Sequence, residues 1–427
     1  MVLTLFLIFL LTLVIGVPIG FGMGISAIGA LALGSGLPLT IVPHKMVNAI
    51  NSFPLVALPL FILAGSLAGE TSIARRLVKF ADALVGHIRG GLGHVNIAAS
   101  IFFGGISGSA VADTAAIGSL MVPAMEKQGY SRADAGAITV CSSVIGILIP
   151  PSIPMVLYGV TVGSSIGALF LAGLVPGILV GVLLMTAVYV MSKRKGWPQR
   201  TACASLPELW SSFREAFPSL LLPVFLLGAI VSGLTTATEA GVIGVIYALF
   251  LGGVVYRDHS PRELFAIAIE SAINTAIPAF ILATTSVAAW IIAIERFPTA
   301  VAAFFAEANF GPVAVLLVIN VILLLVGMVM DLVPALILFA PILLPVAMEA
   351  GVDPIQFGAI MVVNLGIGLI TPPVGNCLYL GAIIAKVDLM TLVRASLPFI
   401  VINIIALLII TFVPQVSLWL PSIFYGS

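Results

Sequence analysis

Long apolar runs dominate the chain, and each run that is long enough to cross a bilayer predicts a membrane helix. A crossing takes about 20 apolar residues. The runs that fit this length are assigned to a scaffold and comprise Val2–Gly34, Phe53–Gly69, Ser165–Met191, Pro218–Leu234, Gly241–Tyr256, Ala272–Ile294 and Met390–Val413. The first run is long enough to cross once at a steep tilt, or twice as two short helices around Gly16–Gly20.

Two further apolar runs have a polar or glycine-rich centre. His94–Lys127 is interrupted by Gly104–Ser109, and Gly311–Glu349 is interrupted by Gly327–Asp331. Each run is about twice as long as a helix that spans half a membrane. We therefore predict two re-entrant hairpins, each of which enters the membrane, turns there and leaves on the side it entered.

The two halves of the chain repeat each other at a fixed offset of 222 residues. Random placement at this density of Gly and Pro would give roughly two coincidences, and eight occur. The matching pairs are Pro123 and Pro345, Gly129 and Gly351, Gly136 and Gly358, Gly146 and Gly368, Pro150 and Pro372, Pro151 and Pro373, Gly159 and Gly381, and Pro176 and Pro398. A membrane helix broken by two prolines therefore recurs, and such paired broken helices are typical of the binding site of a secondary transporter.

Charged amphipathic stretches precede both hairpins. Ser72–His87 and Glu295–Asn309 suit helices that lie along the membrane interface, although a solvated loop is an equally good interpretation of the second. Lys and Arg flank the first hairpin, whereas Glu and Asp flank the second. Because basic loops stay in the cytoplasm, we expect the hairpins to enter from opposite sides and the repeats to be inverted.

This organisation divides the chain into four predicted parts. Residues 1–92 supply N-terminal scaffold helices and the first interfacial arm, and residues 93–192 supply the first transport repeat, with its broken helix over Ala133–Val162. Residues 193–310 supply a hydrophilic linker (Lys193–Arg214), scaffold helices and the second arm, and residues 311–427 supply the second transport repeat. The predicted fold is an all-α polytopic membrane protein with inverted repeats, each containing a re-entrant hairpin and a broken transmembrane helix.

Composition supports this fold and excludes several functions. Of 427 residues, 61% are hydrophobic and only 8% are charged, which is too few to cover a soluble surface. A formal net charge of zero argues against nucleic acid as a partner. The chain has no phosphate-binding GxxxxGK[ST] motif and no pattern typical of an enzyme site. Its histidines lack metal-ligand spacing, and its cysteines are interpreted as packing residues: Cys141, Cys203 and Cys377.

The helix breaks predict cation sites. Each Pro-Pro pair removes two amide donors and leaves main-chain carbonyls free, which is expensive in a membrane unless the carbonyls bind something. Together with hydroxyl and amide oxygens they suit a small cation such as Na⁺. The first predicted site consists of Ser107, Ser109, Ile149 and Ser152, with the carbonyls of Ile147–Ser152. The second consists of Gly327, Asp331, Thr371 and Asn376.

A substrate pocket is predicted between these two sites, where the N-termini of half-helices can hold an anionic group. The residues assigned to it are Gly108, Ser143, Pro150 and Pro372.

Three acidic residues lie within apolar runs, and a carboxylate at membrane depth is a functional candidate by default. Asp331, at the second predicted hairpin tip, is the strongest and has three possible roles: Na⁺ ligand, proton acceptor or helix cap. Asp113 follows the first tip, where capping the outgoing helix is an equally good account. Glu239 is interpreted as a structural residue at a turn between scaffold helices.

Four motifs resemble a known family: Phe103–Gly118, Ile149–Pro154, Gly327–Asp331 and Thr371–Asn376. They are similar to those of the large membrane subunit of tripartite ATP-independent periplasmic (TRAP) transporters, and the resemblance extends over essentially the whole chain. It implies an elevator-type transport domain, coupling to Na⁺, and cation ligands at Ser107, Ser109, Asp331 and Thr371. It also implies a small four-helix membrane subunit, a periplasmic substrate-binding protein and a location in the bacterial inner membrane. No hydrophobic segment precedes Met1, so we expect the small subunit to be a separate chain.

The function that the resemblance implies is Na⁺-coupled import of an organic acid. A C4-dicarboxylate and sialic acid are the leading substrates, and the sequence does not rank them. The main alternative is an autonomous carrier, coupled to Na⁺ or H⁺, that needs no binding protein. A membrane scaffold without transport activity is a further alternative, and it requires that Ser107 and Asp331 tolerate alanine.

Overall fold

The computed structural model describes residues 1–34, 36–69, 72–198, 203–258, 260–307 and 310–426, and over these residues the ordered elements are all helical. The α-helices are α1 (Val2–Val14), α2 (Ile19–Gly34), α3 (Ile41–Ile50), α4 (Ala57–Gly69), α5 (Ile73–Val85), α6 (Gly91–Ser107), α7 (Ala110–Lys127), α8 (Arg132–Ser142), α9 (Ile153–Val162), α10 (Ile166–Lys195), α11 (Leu206–Val231), α12 (Ala237–Phe250), α13 (Pro261–Ile294), α14 (Phe297–Glu307), α15 (Pro312–Val329), α16 (Leu332–Glu349), α17 (Pro354–Leu369), α18 (Asn376–Ala385), α19 (Leu389–Phe412) and α20 (Gln415–Tyr425). Within the described ranges, 7 helices are long and apolar enough to span a membrane, or up to 8 if a bent pair counts as one span.

The N-terminal run forms two helices rather than one. Helices α1 and α2 pack side by side on either side of a turn at Gly16, whose φ is +84°. Gly22 of α2 faces the side chain of Thr12, and Gly34 lies beside Met1, so the two helices are antiparallel. Of the two topologies that the sequence left open, the structure adopts the pair of short helices.

Both predicted hairpins are present. Helices α6 and α7 turn at Gly108 and Ser109, and a hydrogen bond of 2.8 Å from the Ser100 hydroxyl to Asp113 joins their arms. Helices α15 and α16 turn at Met330 and Asp331. Gly108 has a φ of +61°, and a Cβ there would collide with the Pro151 carbonyl, so this turn requires glycine.

The two broken helices run antiparallel to each other, which makes the repeats inverted. Gly358, near the start of α17, faces Tyr158 near the end of α9, whereas Gly381 of α18 faces Val140 of α8. The hairpins follow the same symmetry. The outgoing arm α7 packs on α18 of the other repeat, and the outgoing arm α16 packs on α9.

Several boundaries differ from the sequence-based ones, and helix caps explain two of them. Ser205 caps α11, which therefore begins at Leu206, within the predicted linker, and α10 continues to Lys195. The predicted linker over Lys193–Arg214 therefore overlaps the end of α10 and the start of α11, and its residues 199–202 lie outside the described residues. Ser260 and Glu263 form a capping box that starts α13 at Pro261, well before the predicted start at Ala272. Helices α3 and α20 were not predicted.

Both amphipathic arms are helical where the structure describes them, as α5 and α14; residues 308 and 309 of the second lie outside the described residues. The apolar face of α5 is buried against α6 and α11, and Lys79 forms an ion pair of 2.7 Å with Glu215 of α11. The arm therefore ties hairpin α6–α7 to a scaffold helix. Cys141 and Cys377 are buried as expected of packing residues, but Cys203 is exposed.

Gly368 should be intolerant of a side chain, because a Cβ there would overlap the backbone of Gly327 where α17 crosses α15. We expect Gly368→Ala to lower the midpoint of thermal denaturation in detergent, at a cost of about 1–3 kcal/mol for overpacking. Gly228→Ala is the matched control, since a Cβ at Gly228 meets nothing within 4 Å and alanine is the better helix former. Equal midpoints for the two variants would contradict the close crossing.

Candidate functional site

Each hairpin tip contacts the broken helix of its own repeat through the main chain. The amide of Ile153, just after the first Pro-Pro pair, donates to the carbonyl of Gly108 at 3.3 Å. The amide of Val374, just after the second pair, donates to the carbonyl of Met328 at 3.1 Å. The structure therefore brings tip and break together in both repeats, which is the arrangement that the sequence-based sites require.

Ser109 and Asp331 occupy equivalent positions, and this equivalence was missed at the sequence level. They are 222 residues apart, which is the offset of the repeat, and each is the N-cap of the outgoing helix of its hairpin. The Ser109 hydroxyl accepts a hydrogen bond of 3.3 Å from the amide of Ala112. The Asp331 carboxylate accepts one of 2.7 Å from the side-chain amide of Asn376. The constant offset was the signal that could have identified this pair.

The residues predicted for the first cation site separate into two groups. Ser107 and Ser109 lie on a cavity wall at the tip. Ser152 is fully buried in the break, where its hydroxyl donates to the carbonyl of Ile147 at 2.5 Å and caps α9. The side chain of Ile149 packs against Gly177 of α10, so only its carbonyl is available as a ligand.

The second predicted set gathers around Asp331. Asn376, the first residue of α18, contacts the carboxylate of Asp331 directly. Thr371 lies at the end of α17, where its hydroxyl donates to the carbonyl of Ile367 at 2.6 Å. Gly327 is the crossing point of α15 on α17, which allows the tip to reach the break.

A cavity of about 690 Å³ lies between the hairpin tips and the scaffold. Ser107, Ser109 and Asp331 line it from the transport repeats, so one space receives residues from both predicted cation sites. Four residues were predicted to form the substrate pocket: Gly108, Ser143, Pro150 and Pro372. They lie at the first hairpin tip and at the helix breaks, not on the wall of this cavity. Its size is typical of a site for a small organic molecule.

Scaffold helices supply the opposite wall and contribute residues that sequence reasoning missed. Glu270 and Asn274 of α13 line the cavity, as do Gly65 and Ser66 of α4. Gly65 lies so close to the tip that a Cβ there would stand 2.9 Å from the carbonyl of Ser107. Glu270 was missed because it precedes the apolar run from Ala272, and the Ser-Pro-Arg-Glu capping box at 260–263 was the signal for the longer helix.

The titratable side chains on the cavity wall are acidic. Its lining includes the carboxylates of Glu270 and Asp331 and contains neither Lys nor Arg among the described residues. Ser66, Asn274 and the two tip serines add neutral polar groups. An organic anion in this space therefore meets no complementary side-chain cation.

The other two acidic candidates lie elsewhere. Glu239 caps α12, accepting a hydrogen bond of 2.7 Å from the amide of Thr236 in a capping box, as the structural interpretation expected. Asp113 is completely buried behind the first tip. Over the described residues, no group of three or more His, Cys, Asp or Glu side chains could hold a metal ion.

Inverted repeats, paired hairpin tips and paired helix breaks around one cavity define a membrane transporter of the inverted-repeat class. Residues 6–416 match the family model of the tripartite ATP-independent periplasmic transporter, DctM component. The chain is 40% identical over 411 residues to the sialic acid TRAP transporter large permease protein SiaM of Vibrio cholerae, covering 96% of each chain. It is 39% identical over 378 residues to the C4-dicarboxylate TRAP transporter large permease protein DctM of Pseudomonas aeruginosa, covering 88% of each chain.

The protein therefore belongs to the DctM family of TRAP transporter large permeases, and it is a transporter subunit rather than an enzyme. The fold is also similar to the crystal structure of the YdaH transporter of Alcanivorax borkumensis, with a TM-score of 0.62 over 93% of this chain and 90% of that one. At 14% identity, this likeness concerns the fold alone.

Asp331→Asn separates the charge of the second tip from its capping role. Asparagine caps helices as well as aspartate does and can still accept from Asn376, so the thermal midpoint should change little. If the carboxylate binds a cation, transport should fall at least about tenfold. Asp353→Asn, at the exposed N-cap of α17, is the matched control and should transport normally. Equal transport by the two variants would exclude Asp331 from the site.

Proposed function

We propose that this permease imports an organic acid by Na⁺-coupled secondary active transport across the bacterial inner membrane. In this proposal a periplasmic binding protein delivers the substrate, and a small four-helix membrane subunit accompanies the permease. The two transport repeats move as an elevator relative to the scaffold helices. The family assignment supports the class of transporter, and the cavity supports the coupling ion.

The observation that carries the proposal is the charge of the cavity. Glu270 and Asp331 face it, and its lining contains neither Lys nor Arg among the described residues. An anionic substrate would be repelled by these carboxylates unless cations enter with it. Coupling to Na⁺ supplies those cations, and it ties substrate binding to the ion gradient without a separate mechanism.

The residues at both tips suit Na⁺. The first site offers the hydroxyls of Ser107 and Ser109 and main-chain carbonyls of the break, and the second offers Asp331, Thr371 and Asn376. All of these are hard oxygen ligands, which bind alkali and alkaline-earth cations better than soft metals. Helices α7 and α16 also begin at the tips, so the positive ends of their dipoles lie there and favour an anionic group nearby.

The relatives' names suggest several substrates, namely sialic acid, C4-dicarboxylates, isethionate and 2,3-diketo-L-gulonate, and similar identities do not separate them. Charge favours the first over the second. Sialic acid carries one carboxylate and many hydroxyls, whereas a dicarboxylate brings a second negative charge into a cavity that two acidic side chains already line. We therefore propose a monocarboxylate rich in hydroxyl groups as the preferred substrate class.

Uptake into proteoliposomes that contain the permease and its small subunit tests this function. Labelled sialic acid and succinate are offered with and without an inward Na⁺ gradient and the cognate binding protein. We expect uptake of sialic acid that requires both. Uptake that is indifferent to the binding protein would support the autonomous carrier, and uptake that is indifferent to every ion gradient would contradict secondary active transport.

Glu270→Gln tests the charge argument for substrate preference. Removing one exposed carboxylate from the wall should reduce the electrostatic repulsion of a dianion more than that of a monoanion. Binding of the dianion should therefore improve relative to the monoanion by about 1 kcal/mol, or roughly fivefold. The measurement is the concentration of unlabelled succinate that halves uptake of the labelled substrate, divided by the concentration of unlabelled sialic acid that does the same. This ratio should fall in Glu270→Gln. Glu263→Gln is the control on the same helix, since glutamine also completes a capping box. An unchanged ratio in Glu270→Gln would remove charge as the basis of selection.

A further inference from the structure

A second cavity, of about 290 Å³, adjoins the first one beside the arm α5. The two cavities share Gly69 of α4 and Ala116 of α7 in their linings, so they meet where these helices face each other. Because α5 is rich in basic residues and basic segments stay in the cytoplasm, the second cavity lies on the cytoplasmic side of the first. We call it the vestibule, and its polar lining consists of Ser72, Arg75, Ser119 and Asp258.

The vestibule differs from the first cavity in carrying a basic side chain. Arg75, in the first turn of α5, lines it, whereas the first cavity has neither Lys nor Arg in the lining that the structure describes. The acidic residue of the vestibule, Asp258, already accepts hydrogen bonds from the amide and the hydroxyl of Ser72, at 2.8 and 2.9 Å. An anion that leaves the first cavity on this side therefore first meets a cationic side chain at Arg75.

Arg75 is also the basic residue of α5 that is free to bind an anion. Arg76 lies over the ring of Tyr256, with its Cζ 4.1 Å from the ring centre, and Lys79 pairs with Glu215 at 2.7 Å. Over the described residues, Arg75 enters neither an ion pair nor a side-chain hydrogen bond. A guanidinium group offers a carboxylate two parallel N–H donors, which favours this class of ligand over neutral molecules.

Small side chains line the passage between the two cavities. On α7, Ala112, Ala116 and Ser119 follow one another at successive turns, and Ser66 and Gly69 of α4 lie opposite. A Cβ on Gly69 would meet only a ring carbon at 3.7 Å, so the backbone there borders open space. These walls leave a route from the first cavity to Arg75.

We propose that Arg75 binds the carboxylate of the organic acid on its way to the cytoplasm, as a second, transient site between the first cavity and release. The inference rests on the proposed function, because it describes one step of the import. The guanidinium attracts the anion out of a cavity that two acidic side chains line, and it raises the local concentration of the anion at the cytoplasmic mouth. Arg75 and Ser119 line the vestibule and not the first cavity, so the two sites are separable by experiment.

Protection of a cysteine in the vestibule against an uncharged maleimide tests the site. The reporter is Ser119→Cys, because Ser119 is exposed and its hydroxyl donates only to Ala116 of its own helix. It is combined with Cys203→Ser, since Cys203 is exposed whereas Cys141 and Cys377 are buried. The purified permease with its small subunit is labelled in Na⁺ at increasing concentrations of sialic acid or succinate. We expect the acid to slow labelling of Ser119→Cys and glucose to leave it unchanged.

Removing the charge at position 75 should weaken this protection. In Arg75→Gln the concentration of acid that halves the labelling rate should rise about fivefold, as expected for the loss of one exposed charge pair. Arg75→Lys keeps the charge and should retain most of the protection. Lys79→Gln is the matched control, because Lys79 lies one turn further along the same helix and lines neither cavity. It should leave the half-protecting concentration unchanged.

Two results would overturn the inference while the proposed function stands. One is an acid that enters proteoliposomes under a Na⁺ gradient but does not slow labelling of Ser119→Cys. The other is equal protection in Arg75→Gln and Lys79→Gln, which would assign the protection to a conformational change. If the unmodified permease, given its binding protein and a Na⁺ gradient, takes up neither acid, the proposed function falls and this inference falls with it.

Discussion

The need to satisfy main-chain polar groups inside a membrane governs the architecture of this permease. Each Pro-Pro pair interrupts a helix at a depth where water is scarce, so the freed groups must find partners within the protein. The hairpin tips meet part of this need through the hydrogen bonds from Ile153 to Gly108 and from Val374 to Met328. Tip and break are consequently held together, and the carbonyls that remain are concentrated beside the polar N-caps of the tips.

The two repeats share this backbone plan but distribute charge differently. At the equivalent N-cap positions the first repeat has Ser109 and the second has Asp331. The first repeat carries its buried carboxylate one turn deeper, at Asp113, where the second repeat has Ala335. Each hairpin thus brings one carboxylate to the region of its break, and the pseudo-symmetric halves differ in how close that carboxylate lies to the tip.

Sequence patterns predicted most of the fold because membrane depth imposes strong constraints on them. Long apolar runs, the offset of 222 residues and the Pro-Pro pairs identified the hairpins, the broken helices and their inverted relation. Residues at the tips were predicted for the same reason. Glu270 was not, because a side chain opposite the tips is brought there by packing between scaffold and transport repeats, which no local pattern encodes. Helix α13 also begins in a polar stretch, where hydropathy carries no signal and only the capping box does.

The central claim is that cations occupy the junctions of tip and break and balance the charge of an anionic substrate. Cryo-electron microscopy of the permease with its small subunit, in Na⁺ and in choline at a resolution that shows ordered water, tests it most directly. The account predicts density beside Ser109 and beside Asp331 in Na⁺ that is absent in choline. Identical maps in the two salts, with both junctions closed by protein atoms alone, would contradict it.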